Sequence, residues 1–132
     1  MDCIFCSIID GSVPSLQVAA DESAVAFLDV EPFQDGHTLV VPRRHVASVL
    51  SDDGELAAIS GLVEEVARLL VERLGASGVN VVSNAGEVAG QSVGHLHVHV
   101  IPRYEEEPGF DAIRSSRPRR SPEQVHAQLG GE

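Results

Sequence analysis

The sequence predicts an α+β domain: a mainly antiparallel sheet of about five strands, with one long helix and a short N-terminal helix. Three observations lead to this prediction. Several short apolar runs typical of strands are joined mostly by short loops. One long segment repeats its apolar residues at helical spacing. The 132 residues suffice for one buried core and are too few for two domains.

The first third of the chain is predicted to contain a short helix and three strands. Residues 1–12 carry apolar side chains at helical spacing, which indicates a short helix or turn. The runs 16–20 and 24–28 have the composition of strands, with a polar turn between them. A glycine-containing loop then leads into a third strand at 37–42, which its own proline closes.

The middle of the chain is predicted to form the long helix. Residues 56–74 repeat apolar side chains with a period of about 3.6 residues, which is the helical repeat. Gly75 supplies the C-terminal stop. Asp52 or Asp53 can cap the N-terminus, and Glu55 completes an approximate capping box with Asp52.

Two more strands are expected at 79–83 and 95–102, separated by a loop that contains several glycines. The composition changes after them to an acidic run followed by an Arg- and Ser-rich run. We therefore assign residues 1–104 to the folded domain and 105–132 to a weakly ordered tail. Within the tail, Ser121 can cap a short final helix.

The charge composition excludes several classes of protein. The net charge is −11, and all nine basic residues are arginines. Without lysine there can be no P-loop, kinase-type or Schiff-base lysine. Excess acid argues against nucleic acid polymers and anionic membranes as partners, because affinity for them comes from clustered cations. No signal peptide or membrane span is visible, so we expect a cytoplasmic protein with reduced cysteines.

Three histidines alternate with aliphatic residues near the end of the predicted sheet: His95, His97 and His99. In a strand, this alternation places the three imidazoles on one face and the aliphatic side chains on the other. His95 and His99 would lie about 13 Å apart at Cα, too far to share one metal ion easily, whereas neighbouring pairs about 6.6 Å apart could share one. We therefore expect the three histidines to divide their roles.

Residues 90–94 match the G-x-S-x-G pattern of serine hydrolases. That nucleophile elbow requires a helix after its serine, whereas a strand is predicted after Ser92. Ser92 is a better candidate for a hydroxyl donor in a flexible loop, beside backbone N–H groups that suit an anion.

Cys3 and Cys6 have the spacing of a metal or redox site. A redox motif would be expected in a thioredoxin-like βαβ setting, and the surrounding sequence does not provide one. A tetrahedral zinc site would need two further nitrogen or sulfur ligands. Two reduced, buried thiols are the alternative interpretation.

Taken together, these motifs resemble the histidine-triad (HIT) family, in particular its Hint-like branch with an N-terminal CxxC zinc site. The resemblance covers roughly residues 2–104 and rests on the order and spacing of several segments. These are 3–6, 27–32, 36–45, Asn84 and 90–99. The resemblance implies a HIT-like fold, a two-fold homodimer, and hydrolysis of purine nucleoside 5′-monophosphate derivatives (of AMP or GMP type) at the α-phosphate.

The resemblance also implies catalytic roles. His97 is similar to the nucleophile that forms a covalent nucleotidyl-histidine intermediate, which water then hydrolyses. A neutral imidazole suits this role because it is nucleophilic near pH 7. His99 and Ser92 resemble donors to phosphate oxygens, together with backbone N–H groups around Gln91. His37 is similar to a fourth histidine that supports the triad.

The same resemblance implies a nucleotide site and a metal site. Asp29 resembles the acceptor for the ribose hydroxyls, and Asn84 resembles a polar group near the phosphate or leaving group. The residues that resemble the base pocket are Ile4, Phe5, Ile8, Phe27, Val30 and Leu39. The residues that resemble ligands of a structural zinc ion are Cys3, Cys6, His45 and His95. No catalytic metal is required for this chemistry.

Two other functions remain open at this stage. A dinucleoside polyphosphate hydrolase would use the same nucleophile with a different leaving group. A non-catalytic, zinc-stabilised protein would bind a nucleotide without turning it over. The tryptophan-containing tail of the Hint branch is absent here, and in that branch the tail helps to shape the leaving-group side of the site.

Overall fold

The sheet is covered by a different helix on each face. The computed structural model describes residues 3–51, 53–108 and 118–130. Within them, the helices are α1 (Ile4–Ile9), α2 (Glu55–Leu74) and α3 (Pro122–Gln128). The strands are β1 (Gln17–Ala20), β2 (Ala24–Leu28), β3 (Thr38–Pro42), β4 (Gly78–Val82) and β5 (Val98–Arg103). This confirms the predicted α+β class, with one long helix and a short N-terminal helix.

The five strands form one sheet in the order β1-β2-β3-β5-β4, and every neighbouring pair is antiparallel. β3 is therefore central, and β4 is an edge strand. The register places His99 of β5 between Leu39 of β3 and Val82 of β4. His99 consequently lies inside the sheet, where its neighbours hold its backbone in place.

Alternation along the strands divides the core into two apolar clusters. α2 packs on one face through its periodic positions, and the cluster there contains Ala24, Ala26, Val40, Ile59, Leu62, Val66, Leu70, Val98 and Val100. α1 packs on the opposite face, where the buried cluster contains Phe5, Val25, Phe27, Leu39 and Val41. Because the α1 face also receives His99, it is the face on which a site can form.

β5 begins three residues later than the predicted strand 95–102. The opposing strand ends at Pro42, which has no N–H to donate and so cannot extend the ladder. Instead, Leu96 donates its N–H to the Val46 carbonyl at 2.7 Å. The His97 carbonyl accepts from the Ser83 hydroxyl at 2.8 Å. The first two histidines of the triad therefore lie in a hydrogen-bonded segment just before the strand.

The start of α2 also differs from the sequence expectation. Gly54 is the N-cap residue, with φ at +97°, so the prediction of Asp53 as the cap is wrong. Asp52 lies outside the described residues. Glu55 is instead the first helical residue, and its carboxylate pairs with Arg44 at 3.3 Å. At the other end, Gly75 ends the helix in a left-handed conformation, as predicted.

The final helix predicted after Ser121 is present as α3. The Ser121 side chain accepts from the Gln124 N–H, and the Gln124 side chain accepts from the Ser121 N–H, which completes a capping box. Residues 109–117 of the predicted tail lie outside the described residues. None of the described helices combines the length and the apolar content needed to cross a membrane.

Candidate active site

A cavity of about 870 Å³ lies on the α1 face of the sheet. Most of the side chains singled out from the sequence as catalytic or nucleotide-binding line it: Ile4, Phe5, Ile8, Phe27, Asp29, Val30, Leu39, Asn84, Ser92, His97 and His99. Two do not. His37 is buried behind His99, and Gln91 lies within the loop that borders the cavity. Residues from α1, three strands and two loops thus meet around one space.

The end of the cavity next to α1 is apolar and has the Asp29 carboxylate at its edge. Phe5 of α1 packs edge to face on Phe27 of β2, with ring centroids 5.5 Å apart. Asp29 follows β2, and its Oδ1 accepts from the Glu31 N–H at 2.9 Å. A slot between apolar side chains, with a hydrogen-bond acceptor at its rim, suits a planar base joined to a hydroxyl-bearing sugar.

Local hydrogen bonding fixes the tautomer of His97. Its Nδ1 lies 2.8 Å from the His95 carbonyl oxygen, which can only accept, so Nδ1 carries the proton. The neutral ring therefore has its lone pair on Nε2. The ring is 4 % exposed and packs edge to face against Phe5, with centroids 5.1 Å apart. The arrangement presents a fixed, unprotonated nitrogen of the kind that a nucleophile needs.

A chain of hydrogen bonds orients His99. The Phe33 N–H donates to Nδ1 of His37 at 3.0 Å, so the neutral His37 ring carries its proton on Nε2. That nitrogen lies 2.9 Å from Nδ1 of His99, to which it donates. The neutral His99 ring then carries its own proton on Nε2. Since His99 lines the cavity, this N–H is available to an anionic oxygen.

The position of His37 depends on the glycine before it. Gly36 has φ at +97°, and a Cβ there would come within 2.6 Å of Leu74 and 3.2 Å of Pro102. Any other residue type would be strained by this positive φ and would have to push the end of the Leu74 side chain aside. The resulting close packing buries His37 to 1 % exposure beside Asp29, whose Oδ2 lies 3.5 Å from its Nε2.

Burial keeps the paired imidazoles neutral. Desolvation, together with the neighbouring His97 and His37, lowers the pKa of His99 to about 4. Desolvation also lowers the pKa of His37, although the Asp29 carboxylate opposes this shift. Both rings are therefore uncharged near pH 7, and they act as hydrogen-bond donors of fixed direction.

We expect His99 to titrate well below the histidines of the unfolded chain. Its pKa of about 4 in the folded protein lies below the unfolded value of about 6.5. As the pH falls from about 6.5 to about 4, the unfolded state binds this proton first, and the free energy of unfolding declines. NMR titration of the His99 ring proton, assigned with the His99→Gln variant, measures the midpoint. A midpoint at the unfolded value would contradict the buried, paired environment.

The loop 84–94 is held by the Gln91 side chain. Its Oε1 accepts from the Gly86 N–H at 2.8 Å, and its Nε2 donates to the Ala47 and Val93 carbonyls at 2.7 and 2.9 Å. The Gln91 N–H also donates to the Gly86 carbonyl. Gln91 therefore shapes the loop that brings Ser92 to the cavity, and its own amide groups are directed into the loop.

A second cluster of functional side chains lies next to the cavity. It consists of Cys3, Cys6, His45 and His95, whose potential ligand atoms all lie within 4.8 Å of one another. Nδ1 of His95 is 3.3 Å from Sγ of Cys3 and 3.1 Å from Nδ1 of His45. Nδ1 of His45 is 3.3 Å from Sγ of Cys6. Three separate segments of the chain thus converge on one point.

The donor set and its spacing fit a tetrahedral zinc ion. With Zn–S at about 2.3 Å and Zn–N at about 2.0 Å, neighbouring ligand atoms of a tetrahedron are about 3.3–3.8 Å apart. The observed separations of 3.1–3.6 Å are within about 0.2 Å of this range. His95 Nε2 donates to the Pro42 carbonyl at 3.0 Å, so its Nδ1 lone pair is directed into the cluster.

The surroundings of the thiols do not favour redox chemistry. Desolvation and the adjacent Cys3 raise the pKa of the Cys6 thiol, whereas a reactive cysteine needs a lowered pKa. Four protein side chains would also complete a tetrahedral shell, which is the arrangement of a structural metal centre. The division of roles expected along the triad is visible in the structure: His95 joins this cluster, and His97 and His99 line the cavity.

Sequence reasoning missed several residues that line the cavity, among them Phe33 and Arg103. Phe33 is 72 % exposed and lies nearly parallel to the His99 ring, with centroids 6.5 Å apart. Arg103 follows His99 and Ile101 on the same face of β5. Alternation continued beyond the histidines could have identified Arg103. Phe33 lies in a loop whose course no periodic pattern predicts.

Comparison with known sequences gives a consistent result. A sequence model of the HIT domain matches residues 10–106. The chain is 40 % identical over 134 residues to the adenosine 5′-monophosphoramidase hnt1 of Schizosaccharomyces pombe, covering 100 % of this chain and 96 % of that protein. It is 34 % identical over 105 residues to the adenylylsulfatase HINT3 of Arabidopsis thaliana, covering 79 % of this chain and 53 % of that protein.

Solved structures show the same similarity. A HIT family member from Bacillus subtilis superimposes with a TM-score of 0.86 at 39 % identity, covering 98 % of this chain and 94 % of that one. A zinc-bound histidine triad family protein from Mycobacterium smegmatis gives a TM-score of 0.77 at 32 % identity, covering 98 % and 96 %. The similarity therefore extends over nearly the whole chain in sequence and in structure.

Proposed function

The chain belongs to the HIT-domain family, and from that premise we propose that it hydrolyses purine nucleoside 5′-monophosphate derivatives at the α-phosphate. The observation that carries the proposal is the pair of oriented imidazoles at one cavity. His97 has its lone pair on Nε2, and His99 has its N–H on Nε2. One is a nucleophile and the other a hydrogen-bond donor, as phosphoryl transfer through a covalent intermediate requires. Sequence relatives that act on adenylates support the same class of substrate.

The first proposed step forms a nucleotidyl-histidine. The lone pair of His97 Nε2 attacks the α-phosphorus, and a P–N bond forms. The bond from phosphorus to the leaving group breaks on the opposite side, and the leaving group keeps the bonding electrons. An amine leaving group takes up one proton from solvent and departs as the neutral amine, and the second step returns one proton. His99 Nε2–H and the Ser92 hydroxyl stabilise the charge on the phosphate oxygens. The neighbouring His95 carbonyl accepts from Nδ1–H of His97 and stabilises the positive charge that the ring acquires.

The second proposed step restores the enzyme. Water attacks the phosphorus, the P–N bond breaks, and its electrons return to His97 Nε2. The products are a nucleoside 5′-monophosphate and one proton. The nucleoside is held by the apolar slot around Phe5 and by Asp29, which accepts from the ribose hydroxyls. Both proposed steps use only groups of the protein, the substrate and water.

We also propose a structural zinc ion held by the cluster of Cys3, Cys6, His45 and His95. When bound, this ion supplies a closed tetrahedral link between α1, the segment after β3 and the start of the triad. Its role for the site is positional. Phe5, between the two cysteines, packs against the rings of both His95 and His97.

Turnover of adenosine 5′-phosphoramidate tests the proposed function. We expect multiple turnovers to AMP and ammonia by the metal-replete protein, without added divalent cation. A non-catalytic nucleotide-binding protein would instead bind AMP tightly and release no product. Binding without turnover would overturn the proposal of an enzyme in favour of this alternative.

We further propose that the chain forms a two-fold homodimer through the free edge of β4 and the adjacent part of α2. β4 has a neighbour on one side only in the described sheet, and Val81 on it is 53 % exposed. Val71 and Leu74 near the end of α2 are 45 % and 49 % exposed. Pairing of two such edges would cover these side chains. Light scattering at micromolar concentration should give twice the mass of one chain, and the mass of a monomer would contradict the proposal.

A further inference from the structure

Phe33 is an exposed aromatic residue that contacts two histidines of the site. Its side chain is 72 % exposed, and within the described residues neither apolar cluster of the core includes it. Its ring centroid lies 5.0 Å from that of His37 and 6.5 Å from that of His99. The ring also lines the cavity. Phe33 therefore packs on the imidazoles of the proposed site and outside the core that stabilises the fold.

The loop that carries Phe33 is anchored by hydrogen bonds. The His37 N–H donates to the Gln34 carbonyl at 3.0 Å, which closes the turn after Phe33. The Tyr104 hydroxyl donates to the Asp35 carbonyl at 2.8 Å, which ties the loop to the residue that follows β5. These bonds hold the backbone of Phe33 in place even though its side chain is mostly exposed.

The backbone of Phe33 determines the tautomers of the two imidazoles. Its N–H donates to Nδ1 of His37 at 3.0 Å, so the neutral His37 ring keeps its proton on Nε2. That proton is donated to Nδ1 of His99, and the two nitrogens are 2.9 Å apart. The neutral His99 ring therefore carries its proton on Nε2, as a donor to a phosphate oxygen must.

The ring of Phe33 restricts the plane of the His99 imidazole. The torsion that rotates a histidine ring about its Cβ–Cγ bond has broad minima, so neighbouring groups must define the plane. Phe33 lies nearly parallel to His99, with an angle of 8° between the two planes. The His97 ring approaches it edge to face, with centroids 5.0 Å apart. Rotation of His99 would bring its ring against one or both of these neighbours.

We propose that Phe33 is a positioning residue of the active site: its N–H sets the tautomer of His99 through His37, and its ring holds the plane of His99. Both effects direct the Nε2–H of His99 into the cavity. The inference rests on the proposed function, in which this N–H stabilises charge on the phosphate oxygens. Direction matters because such a donor is most effective when it is oriented before the reaction begins. Phe33 acts through His99 and takes no part in bond making.

The test separates the ring of Phe33 from its backbone. Phe33→Ala and Phe33→Leu remove the planar face and keep the N–H that bonds to His37. Phe33→Tyr keeps an aromatic ring. Leu50→Ala is the matched control, because Leu50 is an apolar side chain that is 82 % exposed and lies outside the cavity lining. Thermal unfolding shows that each variant is folded before it is compared.

For Phe33→Ala and Phe33→Leu, we expect kcat for adenosine 5′-phosphoramidate to fall about tenfold. Complete loss of such a donor typically costs about a hundred- to a thousandfold, and a misoriented donor loses part of that effect. Phe33→Tyr and Leu50→Ala should stay within about twofold of the wild-type kcat. An unchanged kcat without the ring, a change confined to KM, an equal fall in Leu50→Ala, or a Phe33→Tyr variant as slow as Phe33→Ala would overturn the inference.

NMR relaxation of the His99 ring separates this inference from the proposed function, because it requires no turnover. We expect the order parameter of the ring C–H groups to fall from about 0.85 in the wild-type protein and Phe33→Tyr to below about 0.6 in Phe33→Ala. The 15N shifts of the ring should report the Nε2–H tautomer in all three proteins, since the backbone of Phe33 is retained. If the wild-type protein turns over no substrate, the proposed function fails and the ring measurements alone decide the inference. An equally rigid His99 ring in Phe33→Ala, or a wild-type ring with its proton on Nδ1, overturns it.

Discussion

Replacing His97 by alanine is expected to lower kcat/KM for adenosine 5′-phosphoramidate at least about a thousandfold, because the proposed nucleophile of the covalent step is lost. Nucleotide binding should survive, since the apolar slot and Asp29 are untouched. Steady-state release of AMP measures the first effect, and calorimetric titration with AMP measures the second. Loss of AMP release with retained AMP binding identifies a lost nucleophile, whereas loss of both indicates a disrupted site.

His126 provides the matched control for this substitution. It is an exposed histidine on α3 and has no part in the cavity. His126→Ala should hydrolyse the substrate at the wild-type rate. If His97→Ala also retained that rate, another group would have to be the nucleophile, and the assignment based on the Nε2 lone pair would be wrong.

Replacing His45 by alanine is expected to lower the free energy of unfolding by about 3 kcal/mol or more, because the proposed structural zinc ion would lose a ligand. His45 is exposed, and an exposed side chain without such a role contributes within about 0.5 kcal/mol. The expected effect is therefore far outside the range for an ordinary surface histidine. Chemical denaturation of the metal-replete protein measures it.

Two controls define the origin of this effect. His126→Ala, another exposed histidine, should change stability by no more than about 0.5 kcal/mol. A chelator should destabilise the wild-type protein to the level of His45→Ala and leave that variant unchanged. Elemental analysis should give one zinc per chain. Absence of stoichiometric zinc, together with a wild-type stability for His45→Ala, would exclude the metal centre.

The two predictions are linked through Phe5. This side chain lies on α1 between Cys3 and Cys6, and its ring lies 5.8 Å from that of His95 and 5.1 Å from that of His97. Loss of the metal should therefore loosen α1 and raise KM more than it lowers kcat. The metal centre would then support the nucleotide slot without taking part in the chemistry.

Elements with strong periodicity were predictable from the sequence. The apolar repeat over residues 56–74 and Gly75 defined α2, since apolar side chains that recur about every 3.6 residues leave little alternative to a helix. The start of β5 was not predictable in the same way. It depends on Pro42 of another strand, which ends the ladder opposite the first two histidines. Such a boundary depends on contacts with another strand, and the alternation within one strand does not predict it.

The same distinction applies to the site. The alternation predicted that the three histidines would lie on one face of the chain. The strand spacing predicted that they would not all share one site, and His95 does lie in the Cys/His cluster while His97 and His99 line the cavity. The hydrogen bond between His37 and His99, which are 62 residues apart, follows from strand order. Gln91 was grouped with the nucleotide-binding residues because of its place in the motif. Its side-chain amide bonds to Gly86 and Ala47 and shapes the loop, a local geometry that composition does not reveal, and its place among the nucleotide-binding groups stays a prediction.

The most direct test of the central claim is to trap the intermediate. The wild-type protein would be mixed with excess adenosine 5′-phosphoramidate, quenched in alkali because phosphoramidates are acid-labile, digested and mapped by mass spectrometry. We predict an adenylyl group on the peptide that contains His97, absent from His97→Ala and present in His126→Ala. An active enzyme that carries the adduct on another residue, or turns over with no adduct in any quench, would contradict covalent catalysis by His97.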